Sequence, residues 1–267
     1  MRAWIVSDIH SAPMDRFWSA PLAVPQADIC ICAGDVSSDL KTSLDYLAEI
    51  AREMPVVATL GNHEYYGHSI DQALEAAEIA TRGTDVHILE NRSIELSGVK
   101  FLGATLWTDF EIVTGKHDED LPASERLANA RQNIRQHSPD FSEIYSDELR
   151  GGMVDMDELR NRHEESRAFI VAELERTPYA QKSVVISHHA PLTESLDVRF
   201  DGRPSNAGYA SDLSAVIVAG KPSYWIHGHI HRHVNYVHDH TRVINNPRGF
   251  SNERERNGFQ PSFVIEL

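Results

Sequence analysis

The sequence Gly-Asn-His-Glu at residues 61–64 directly follows the apolar run Val-Val-Ala-Thr-Leu at residues 56–60. A β-branched run that ends abruptly in polar residues is typical of a buried strand leading into a loop whose side chains face outward. Histidine is a common metal ligand, but a simple turn is the ordinary explanation of these four residues taken alone. The stretch predicts a functional site only if other strands end in the same way.

The same design recurs at four other places. Apolar runs at 2–6, 28–32, 183–186 and 224–226 each lead into a segment that contains Asp or His. These segments read Ser-Asp-Ile-His, Ala-Gly-Asp-Val, Ser-His-His-Ala-Pro and His-Gly-His-Ile-His. Because neighbouring strand ends of a sheet bring distant sequence positions together, the five segments predict one shared site.

The composition favours one globular body. The chain has 267 residues, of which 41% are hydrophobic, and it contains no internal repeat or obvious linker. We therefore expect a single domain over residues 1–267. The formal net charge of −15 disfavours nonspecific binding to nucleic acid or to an anionic membrane. An anionic substrate would need a local cation.

Three features favour a cytoplasmic protein. The first strand begins almost at Met1, without the basic, apolar and small-residue segments of a signal peptide. No apolar run approaches the roughly 18 to 20 residues that span a bilayer. Cys30 and Cys32 alternate along one strand, so we expect both to be small buried hydrophobes in a reducing compartment. A disulfide or a metal thiolate is the alternative.

Helical patterns separate the first strands. Residues 39–54 carry leucine and isoleucine at helical spacing. A second helix is predicted from the N-cap Ser69 to about Thr81. This alternation of strand and helix favours an α/β fold with parallel strands. Another helix is expected at 205–219, where one side would carry Tyr209, Leu213, Val216 and Ile217.

Two groups of short strands predict an antiparallel portion. The first group is separated by Glu-Asn and Ser-Gly turns, a spacing that is typical of hairpins, and lies at 86–89, 93–96 and 99–102. The second group lies at 234–237, 241–244 and 262–265. The sequence therefore predicts mixed sheets.

Residues 111–176 form a charged, helical insertion. Helices are predicted at about 121–137 and 155–176, and residues 117–120 are predicted to form a loop. Charge runs of this kind usually cover a solvated surface. A lid over the site is the alternative interpretation. In that case this insertion, together with loops around 199–206, would select the substrate.

Seven side chains at the strand ends are candidate metal ligands. They are Asp8, His10, Asp35, Asn62, His188, His229 and His231. The pairs Asp8-x-His10 and His229-x-His231 each place two donors on one side of an extended backbone, so each pair can act as a clamp. Seven ligands are too many for one tetrahedral ion. They suit two metal ions that share a carboxylate, at the roughly 3.5 to 4 Å separation of two-metal hydrolases.

Such a centre would carry its own positive charge. Two dications and two carboxylates leave a formal charge of about +2, which can hold a phosphate although the protein is acidic overall. Metal coordination lowers the pKa of water and supplies hydroxide at neutral pH, so no side-chain nucleophile is required. Oxygen and imidazole ligands accept manganese, iron, zinc, cobalt or nickel. We expect two divalent or mixed-valence ions of manganese, iron or zinc.

The five motifs, taken in order, resemble those of the calcineurin-like metallophosphoesterases. The matching residues are Asp8-Ile9-His10, Gly34-Asp35, Gly61-Asn62-His63-Glu64, His188 in Ser-His-His-Ala-Pro, and Gly228-His229-Ile230-His231. Each motif is weak alone, but together they span residues 8–231 and are highly specific. The resemblance implies a mixed α/β fold, with a two-sheet β sandwich flanked by helices in four layers (αββα).

The resemblance also implies how the ligands are divided. The first metal would be held by Asp8, His10, Asp35 and His231. Asp35 would bridge to the second metal, whose other ligands would be Asn62, His188 and His229. His63, with Asn62, would contact the phosphate, and His63 would act as an acid toward the leaving group, a role that suits imidazole at neutral pH. His189 would lie beside the ligands without binding metal.

Two features distinguish this chain within that family. The Asp-Arg-Gly of protein serine/threonine phosphatases is absent after Gly34-Asp35, where the sequence continues Val-Ser-Ser-Asp-Leu. Its absence disfavours a phosphoprotein substrate. The run Asn-Asn-Pro-Arg-Gly at 245–249 is similar to that of bacterial members. Arg248 in this run could hold phosphate by a bidentate contact, and a turn-forming surface arginine is the alternative.

Other histidines and aromatic residues have structural explanations. Trp107 and Phe110 are expected in the core. Surface positions, or positions beside the ligands, are expected for His227, His233, His238 and His240. A second metal-binding patch is the alternative interpretation of these four histidines.

The main hypothesis is a dinuclear-metal phosphoesterase that hydrolyses a small phosphomonoester or phosphodiester by attack of a metal-bound hydroxide. The rival is a binding module that keeps the fold without catalysis. Such relatives typically lose metal ligands or the catalytic histidine, whereas every motif position is filled here. A phosphoprotein phosphatase is the weaker alternative.

Overall fold

Two β-sheets stacked face to face form the frame of the protein. The computed structural model describes residues 1–11, 22–116, 118–148, 150–178 and 180–267. Within these residues the strands are, in chain order, β1 (Arg2–Val6), β2 (Ile29–Ala33), β3 (Val56–Thr59), β4 (Val86–Ile88), β5 (Arg92–Leu96), β6 (Val99–Ala104), β7 (Ser183–Ser187), β8 (Tyr224–His227), β9 (Val234–His238), β10 (Thr241–Asn245) and β11 (Val264–Glu266).

Each sheet combines parallel and antiparallel pairs. The first has the order β11-β1-β2-β3-β4, in which β1 to β4 run parallel and β11 pairs antiparallel with β1. The second has the order β5-β6-β7-β8-β10-β9, with parallel pairs in the middle and an antiparallel pair at each edge. The predicted mixture of parallel and antiparallel strands is confirmed.

Helices cover the outer faces of both sheets and complete four layers. The helices in the described residues are α1 (Leu40–Ile50), α2 (Ile70–Thr81), α3 (Ala123–His137), α4 (Asp140–Glu143), α5 (Met156–Arg176) and α6 (Ser214–Gly220). Ile5 and Ile31 of the first sheet pack against Ile186 of the second. Helix α1 packs on the outer face of the first sheet, and α5 and α6 cover that of the second. The αββα architecture expected from the sequence is confirmed.

Helix α2 begins at its predicted cap, Ser69, and α1 begins after Asp39, the first residue of its predicted segment, which the structure identifies as a cap. The Asp39 carboxylate accepts the Thr42 N–H at the start of α1. Ser69 and Gln72 form a reciprocal capping box at the start of α2, which satisfies two backbone N–H groups that have no partner within the helix. Helix α1 ends at Ile50 rather than 54, and a turn completes that segment.

Two local predictions are wrong. The strands at 86–89 and 93–96 do not form a hairpin, because β4 pairs with β3 in the first sheet while β5 pairs with β6 in the second. The buried side chain of Leu89 packs between the sheets where the chain crosses. Residues 205–219 are not one helix: a 3₁₀ turn at Pro204–Gly208 is followed by a parallel bridge of Ala190 with Ala210. Because Ala210 pairs with Ala190 in an extended conformation, the chain does not become helical again until α6 begins at Ser214.

The charged insertion belongs partly to the body of the fold. Ile170 and Leu174 of α5 pack on the second sheet, whereas α3 lies against the 3₁₀ turn at Pro204–Gly208. Residue 117 of the predicted loop lies outside the described residues, as do residues 12–21. The lid interpretation stays a prediction.

Cysteine and membrane features can be compared directly with the structure. Cys30 and Cys32 are both free and buried, and they pack on one face of β2 against α1. Among the described helices, none combines the length and apolar character needed to cross a membrane.

Candidate metal centre

The candidate ligands lie together at the carboxyl ends of five parallel strands. Asp8 and His10 follow β1, Asp35 follows β2, and Asn62 follows β3. From the second sheet, β7 leads to His188, and β8 leads to His229 and His231. The structure brings donor atoms within 4.8 Å of one another in three groups, which are Asp8/His10/His231, His10/Asp35/His63 and Asp35/His188/His229. Asn62 joins them through its Oδ1, 3.0 Å from His188 Nε2, so all seven predicted ligands and His63 meet at one edge of the sandwich.

Four of the predicted ligands adopt a left-handed backbone conformation. The φ angles are 48° at Asp8, 45° at His10, 56° at Asp35 and 63° at His229. This conformation is unfavourable for residues other than glycine and is concentrated at functional sites. Hydrogen bonds between the loops hold it, including one of 2.9 Å from the His229 N–H to Asp8 Oδ1. The fold thus aims these side chains inward at some cost in backbone energy.

Two glycines allow the strand ends to approach closely. A Cβ atom at Gly61 would overlap Asp35 Oδ1. Gly34 has a φ of 85°, and a Cβ there would lie 2.5 Å from the backbone nitrogen of Gly61. Any side chain at either position would push the β2 and β3 loops apart, so space requires glycine at both positions, and the backbone conformation also requires it at Gly34.

His188 presents a ring nitrogen to two oxygen acceptors. Its Nδ1 lies 2.7 Å from the Ala33 carbonyl oxygen, which fixes the proton of the neutral ring on Nδ1. Its Nε2 faces Asn62 Oδ1 at 3.0 Å and Asp35 Oδ1 at 3.4 Å. Burial favours the neutral ring, but the Asp35 carboxylate raises the pKa of His188 to about 9. The lone pairs of His188 Nε2, Asn62 Oδ1 and Asp35 Oδ1 point toward one another, and this arrangement favours a positive charge between them. A bound metal ion would supply that charge.

His231 repeats this arrangement on the other side. Its Nδ1 lies 2.6 Å from a carboxylate oxygen of Glu253, and its Nε2 lies 3.4 Å from Asp8 Oδ1 and 3.0 Å from His10 Nε2. Burial opposes protonation, yet hydrogen bonds to Asp8 and Glu253 raise the pKa of His231 to about 10. A carboxylate that orients the far nitrogen of a histidine is a recurrent feature of metal sites.

The donor set fits metal ions. A metal with bonds of about 2.1 Å holds neighbouring ligand atoms about 3.0 to 3.4 Å apart, which matches the spacings around His188 and His231. Burial lowers the pKa of His10 and of His229 to about 3. Both rings are therefore neutral at physiological pH, and neutral imidazole is the form that binds metal.

Glu64 ties the Asp35 loop to the Asn62 loop from behind. Its buried carboxylate accepts the Ser43 hydroxyl and backbone N–H groups from Asp35, Val36, Ser37 and Gly61. Burial and the Asp35 charge raise the pKa of Glu64. Glu64 ends the motif Gly61-Asn62-His63-Glu64, but no role was predicted for it from the sequence.

Replacing Glu64 is expected to destabilise the protein strongly. Glu64→Ala leaves several buried donors without an acceptor, at about 1 to 3 kcal/mol each, so the loss should exceed about 3 kcal/mol. Urea unfolding of the metal-free protein measures the free energy directly. Glu49→Ala, which removes an exposed carboxylate from α1, is the matched control. A loss below 1 kcal/mol for Glu64→Ala, about that of one hydrogen bond, would contradict this role.

The insertion reaches the metal centre through Asp140. Asn62 Nδ2 donates to Asp140 Oδ1 at 2.8 Å and to the Tyr66 hydroxyl at 3.1 Å. The Tyr66 hydroxyl also donates to Asp140. Because the nitrogen of the Asn62 amide is engaged by these acceptors, its oxygen must face His188 and the centre. Asp140 thus sets the orientation of a predicted ligand.

Asp140→Ala is expected to weaken one metal site selectively. Loss of a partner that orients a ligand typically costs 10- to 100-fold in metal affinity, and only the site that includes Asn62 should be affected. Calorimetric titration of metal-free protein with Mn²⁺ resolves the two affinities. Asp140→Asn keeps an acceptor oxygen and should retain most of the affinity, whereas Asp157→Ala on the exposed face of α5 is a neutral control. If neither of the two Mn²⁺ affinities falls in Asp140→Ala, the positioning role is refuted.

His63 lies at the edge of the centre, facing a cavity. Its Nε2 is 3.9 Å from Asp35 Oδ2, and its Nδ1 is 2.7 Å from the Ser38 hydroxyl. The ring is 20% exposed and lines the cavity, so it is accessible to a bound substrate. His189 is fully enclosed with its Nδ1 near the Thr105 carbonyl oxygen, as expected for a residue beside the ligands.

A cavity of about 970 Å³ opens over the centre. Asp35, His63 and His229 contribute to its lining, and Phe250 stacks on the His10 ring at 4.1 Å between centroids. The walls come from 133–141, 196–209, 229–232 and 250–257. The insertion and the 199–206 loop, which are predicted to select the substrate, both contribute to these walls.

Arg248 is not part of this cavity wall. Its side chain is 7% exposed, its backbone N–H donates to the Ser7 carbonyl, and it is absent from the described residues that line the cavity. The alternative of a surface arginine is wrong, and phosphate contact by Arg248 stays a prediction.

The structure also places the other aromatic residues and histidines that were considered in the sequence. Trp107 and Phe110 are buried, as expected for core residues. His227 is also fully buried and lies 2.8 Å from the Ser195 hydroxyl, not at the surface. In the described chain, neither His238 nor His240 joins a metal-binding group.

Sequence reasoning missed Glu253, Asp140 and Phe250. The first two lie 22 and 78 positions from their partners at the site, His231 and Asn62. They belong to no motif, so no local signal marks them.

A family model described as calcineurin-like phosphoesterase matches residues 1–233. The chain belongs to the calcineurin-like phosphoesterase family. The resemblance inferred from the five strand-end motifs is thereby confirmed. Together with the clustered Asp and His donors, membership supports a metal-dependent phosphoesterase with a dinuclear centre.

Individual relatives are distant in sequence. An uncharacterized protein, L509, from Acanthamoeba polyphaga mimivirus is 24% identical over 222 residues, which cover 78% of this chain and 71% of the relative. The crystal structure of phosphopantetheinyl hydrolase (PptH) from Mycobacterium tuberculosis aligns with a TM-score of 0.75 and 17% identity, over 99% of this chain and 95% of that one. A dimetal phosphatase from Danio rerio aligns with a TM-score of 0.48 and 14% identity, over 91% and 86% of the two chains. The PptH alignment establishes a shared fold over almost the whole length.

Proposed function

We propose that this protein hydrolyses a phosphomonoester or phosphodiester bond at a dinuclear metal centre. The supporting observation is the pair of histidines, His188 and His231, whose Nε2 atoms each face a carboxylate and a further donor within 3.4 Å. Asp35 lies between these two arrangements and can serve both. An intact ligand set with a histidine exposed beside it favours an enzyme over a module that only binds.

The residues have distinct roles in this proposal. Two bound metal ions would activate water for attack on phosphorus and stabilise charge on the phosphoryl oxygens. Asp8, His10 and His231 would hold one ion and His188, His229 and Asn62 the other, with Asp35 available to both. His63 contacts the phosphate and protonates the departing oxygen. The cavity walls limit water access to the substrate and orient its organic part.

A comparison of two nitrophenyl esters tests the proposal. Protein stripped of metal and reloaded with manganese is given p-nitrophenyl phosphate and bis-p-nitrophenyl phosphate, with iron and zinc as parallel loads. Metal-dependent release of nitrophenol is expected, and the preferred ester separates phosphatase from phosphodiesterase activity. A phosphopantetheinyl ester belongs in the second round of substrates, because the structurally similar PptH is named for that group.

The rival function is a binding module on the same fold. If two metals bind and none of the three esters is cleaved, the catalytic proposal fails and the rival is favoured. Cleavage that persists in metal-free protein would contradict the dinuclear mechanism instead. Phosphoprotein hydrolysis is disfavoured by the sequence Val-Ser-Ser-Asp-Leu after Asp35.

A further inference from the structure

Three arginines line the cavity without a carboxylate partner. They are Arg203, Arg232 and Arg256. In the part of the chain that the structure describes, none of them forms an ion pair within 4.0 Å of an Asp or Glu oxygen. Arg199, which also lines the cavity, differs because Asp197 binds its guanidinium. The chain has a net charge of −15, so most arginines are expected to find an acidic partner. Three arginines without one, in the cavity over the candidate metal centre, are therefore unexpected.

Each of the three guanidinium groups is held by a contact that leaves donors available. The Arg203 guanidinium lies over the Phe200 ring, 4.8 Å from its centroid. Arg232 directly follows the ligand His231, and its Nη1 donates to the Leu196 carbonyl at 2.8 Å. Arg256 Nη2 donates to the Asn252 carbonyl at 3.1 Å. A guanidinium has five N–H donors, so each group retains several for a ligand.

The acidic residues of the cavity do not neutralise these arginines. Asp140 accepts from Asn62 and Tyr66, and Glu253 is bonded to His231. Asp197 is bound by Arg199. Each described carboxylate of the lining outside the predicted metal ligands is therefore bonded to another group. The charge of Arg232 also helps to lower the pKa of Asp197, but none of the three arginines is within ion-pair distance of these carboxylates.

The cavity is larger than a scissile phosphate requires. Its volume of about 970 Å³ lies at the upper end of the roughly 300 to 1,000 Å³ of small-molecule sites. Phe200 and Tyr209 add aromatic surface to the same lining, which suits the organic part of a ligand. Metal centre, aromatic wall and arginines thus offer three kinds of contact within one space.

We infer that Arg203, Arg232 and Arg256 form a second anion subsite, so that the substrate is an organic phosphoester bearing a further phosphate away from the bond that is cleaved. This inference rests on the proposed function, because the metal centre is taken to bind the reacting phosphate. Guanidinium groups bind phosphate oxygens in bidentate fashion. The second phosphate supplies much of the binding energy and sets specificity for the substrate.

Matched adenosine nucleotides test the subsite. Adenosine 5′-monophosphate, adenosine 3′,5′-bisphosphate and adenosine 5′-diphosphate are compared as inhibitors of nitrophenyl ester hydrolysis by the manganese enzyme. At least one nucleotide with two phosphates should bind about ten-fold or more tightly than the monophosphate, the gain of one good charge-assisted contact. Arg203→Ala and Arg232→Ala should each reduce that ratio several-fold, and raised salt should reduce it in the wild type.

The control variant is Arg176→Ala, which removes the same charge from an exposed position paired with Glu173. It should leave the ratio unchanged. Equal affinity for nucleotides with one and two phosphates, or a ratio that falls equally in Arg176→Ala, would overturn the subsite. If the wild type cleaves no ester, the proposed function fails separately. Calorimetric affinities of the same nucleotides for manganese-loaded protein then decide the subsite alone.

Discussion

Asp35→Ala should lose turnover by more than about 10³-fold, beyond the loss that removal of one oxyanion donor causes. The two oxygens of this carboxylate face opposite halves of the centre. Oδ1 lies 3.4 Å from His188 Nε2, and Oδ2 lies 3.9 Å from His10 Nε2. Burial opposes ionisation, but the charges of His188 and His63 hold the pKa of Asp35 well below its usual range. The residue is thus an anion that can serve both metals.

Metal content measured by mass spectrometry, together with turnover, checks this result. The variant should retain less than half of the metal bound by the wild type. Asp45→Ala, which removes an exposed carboxylate from α1, should keep both metal and activity. Full metal content with full activity in Asp35→Ala would eliminate the model of a shared carboxylate.

His63→Ala should reduce turnover by about 10²- to 10⁴-fold, the usual contribution of a general acid, while metal content stays nearly constant. The ring lies at the cavity edge with its Nε2 3.9 Å from Asp35 Oδ2. The reduction should be larger for an ester with an alkyl leaving group than for p-nitrophenyl phosphate. An alkoxide needs a proton to depart, whereas p-nitrophenolate leaves as a stable anion.

The position of His63 is also compatible with a competing role as a metal ligand. Its ring nitrogen belongs to a group with His10 and Asp35 whose donor atoms lie within 4.8 Å. If His63→Ala loses one metal ion, the residue is a ligand and the assignment as an acid is mistaken. If His63→Ala keeps both metals and loses more turnover with the alkyl ester than with p-nitrophenyl phosphate, a role as metal ligand is excluded. His240→Ala, at an exposed turn, controls for loss of an imidazole.

The strand ends could be predicted from the sequence because their information is local. An apolar run followed by Asp, Asn or His marks the end of a buried strand, and all five such ends do meet. Caps are local as well, so the start of α2 at the cap Ser69 could be predicted from a few residues. Predictions from the sequence were wrong where the pairing of strands into sheets determined the local structure. Local spacing at 86–96 resembled a hairpin, but β4 and β5 join different sheets.

The sequence by itself determined the family, the order of the motifs and the donor types at the centre. Only the tertiary structure decided how those donors are supported and what lies above them. The contacts of Glu253 with His231 and of Asp140 with Asn62 join residues 22 and 78 positions apart. The cavity draws its arginines from three separate loops. Such contacts depend on where loops are carried by the two sheets, and no pattern within a single stretch of chain encodes that position.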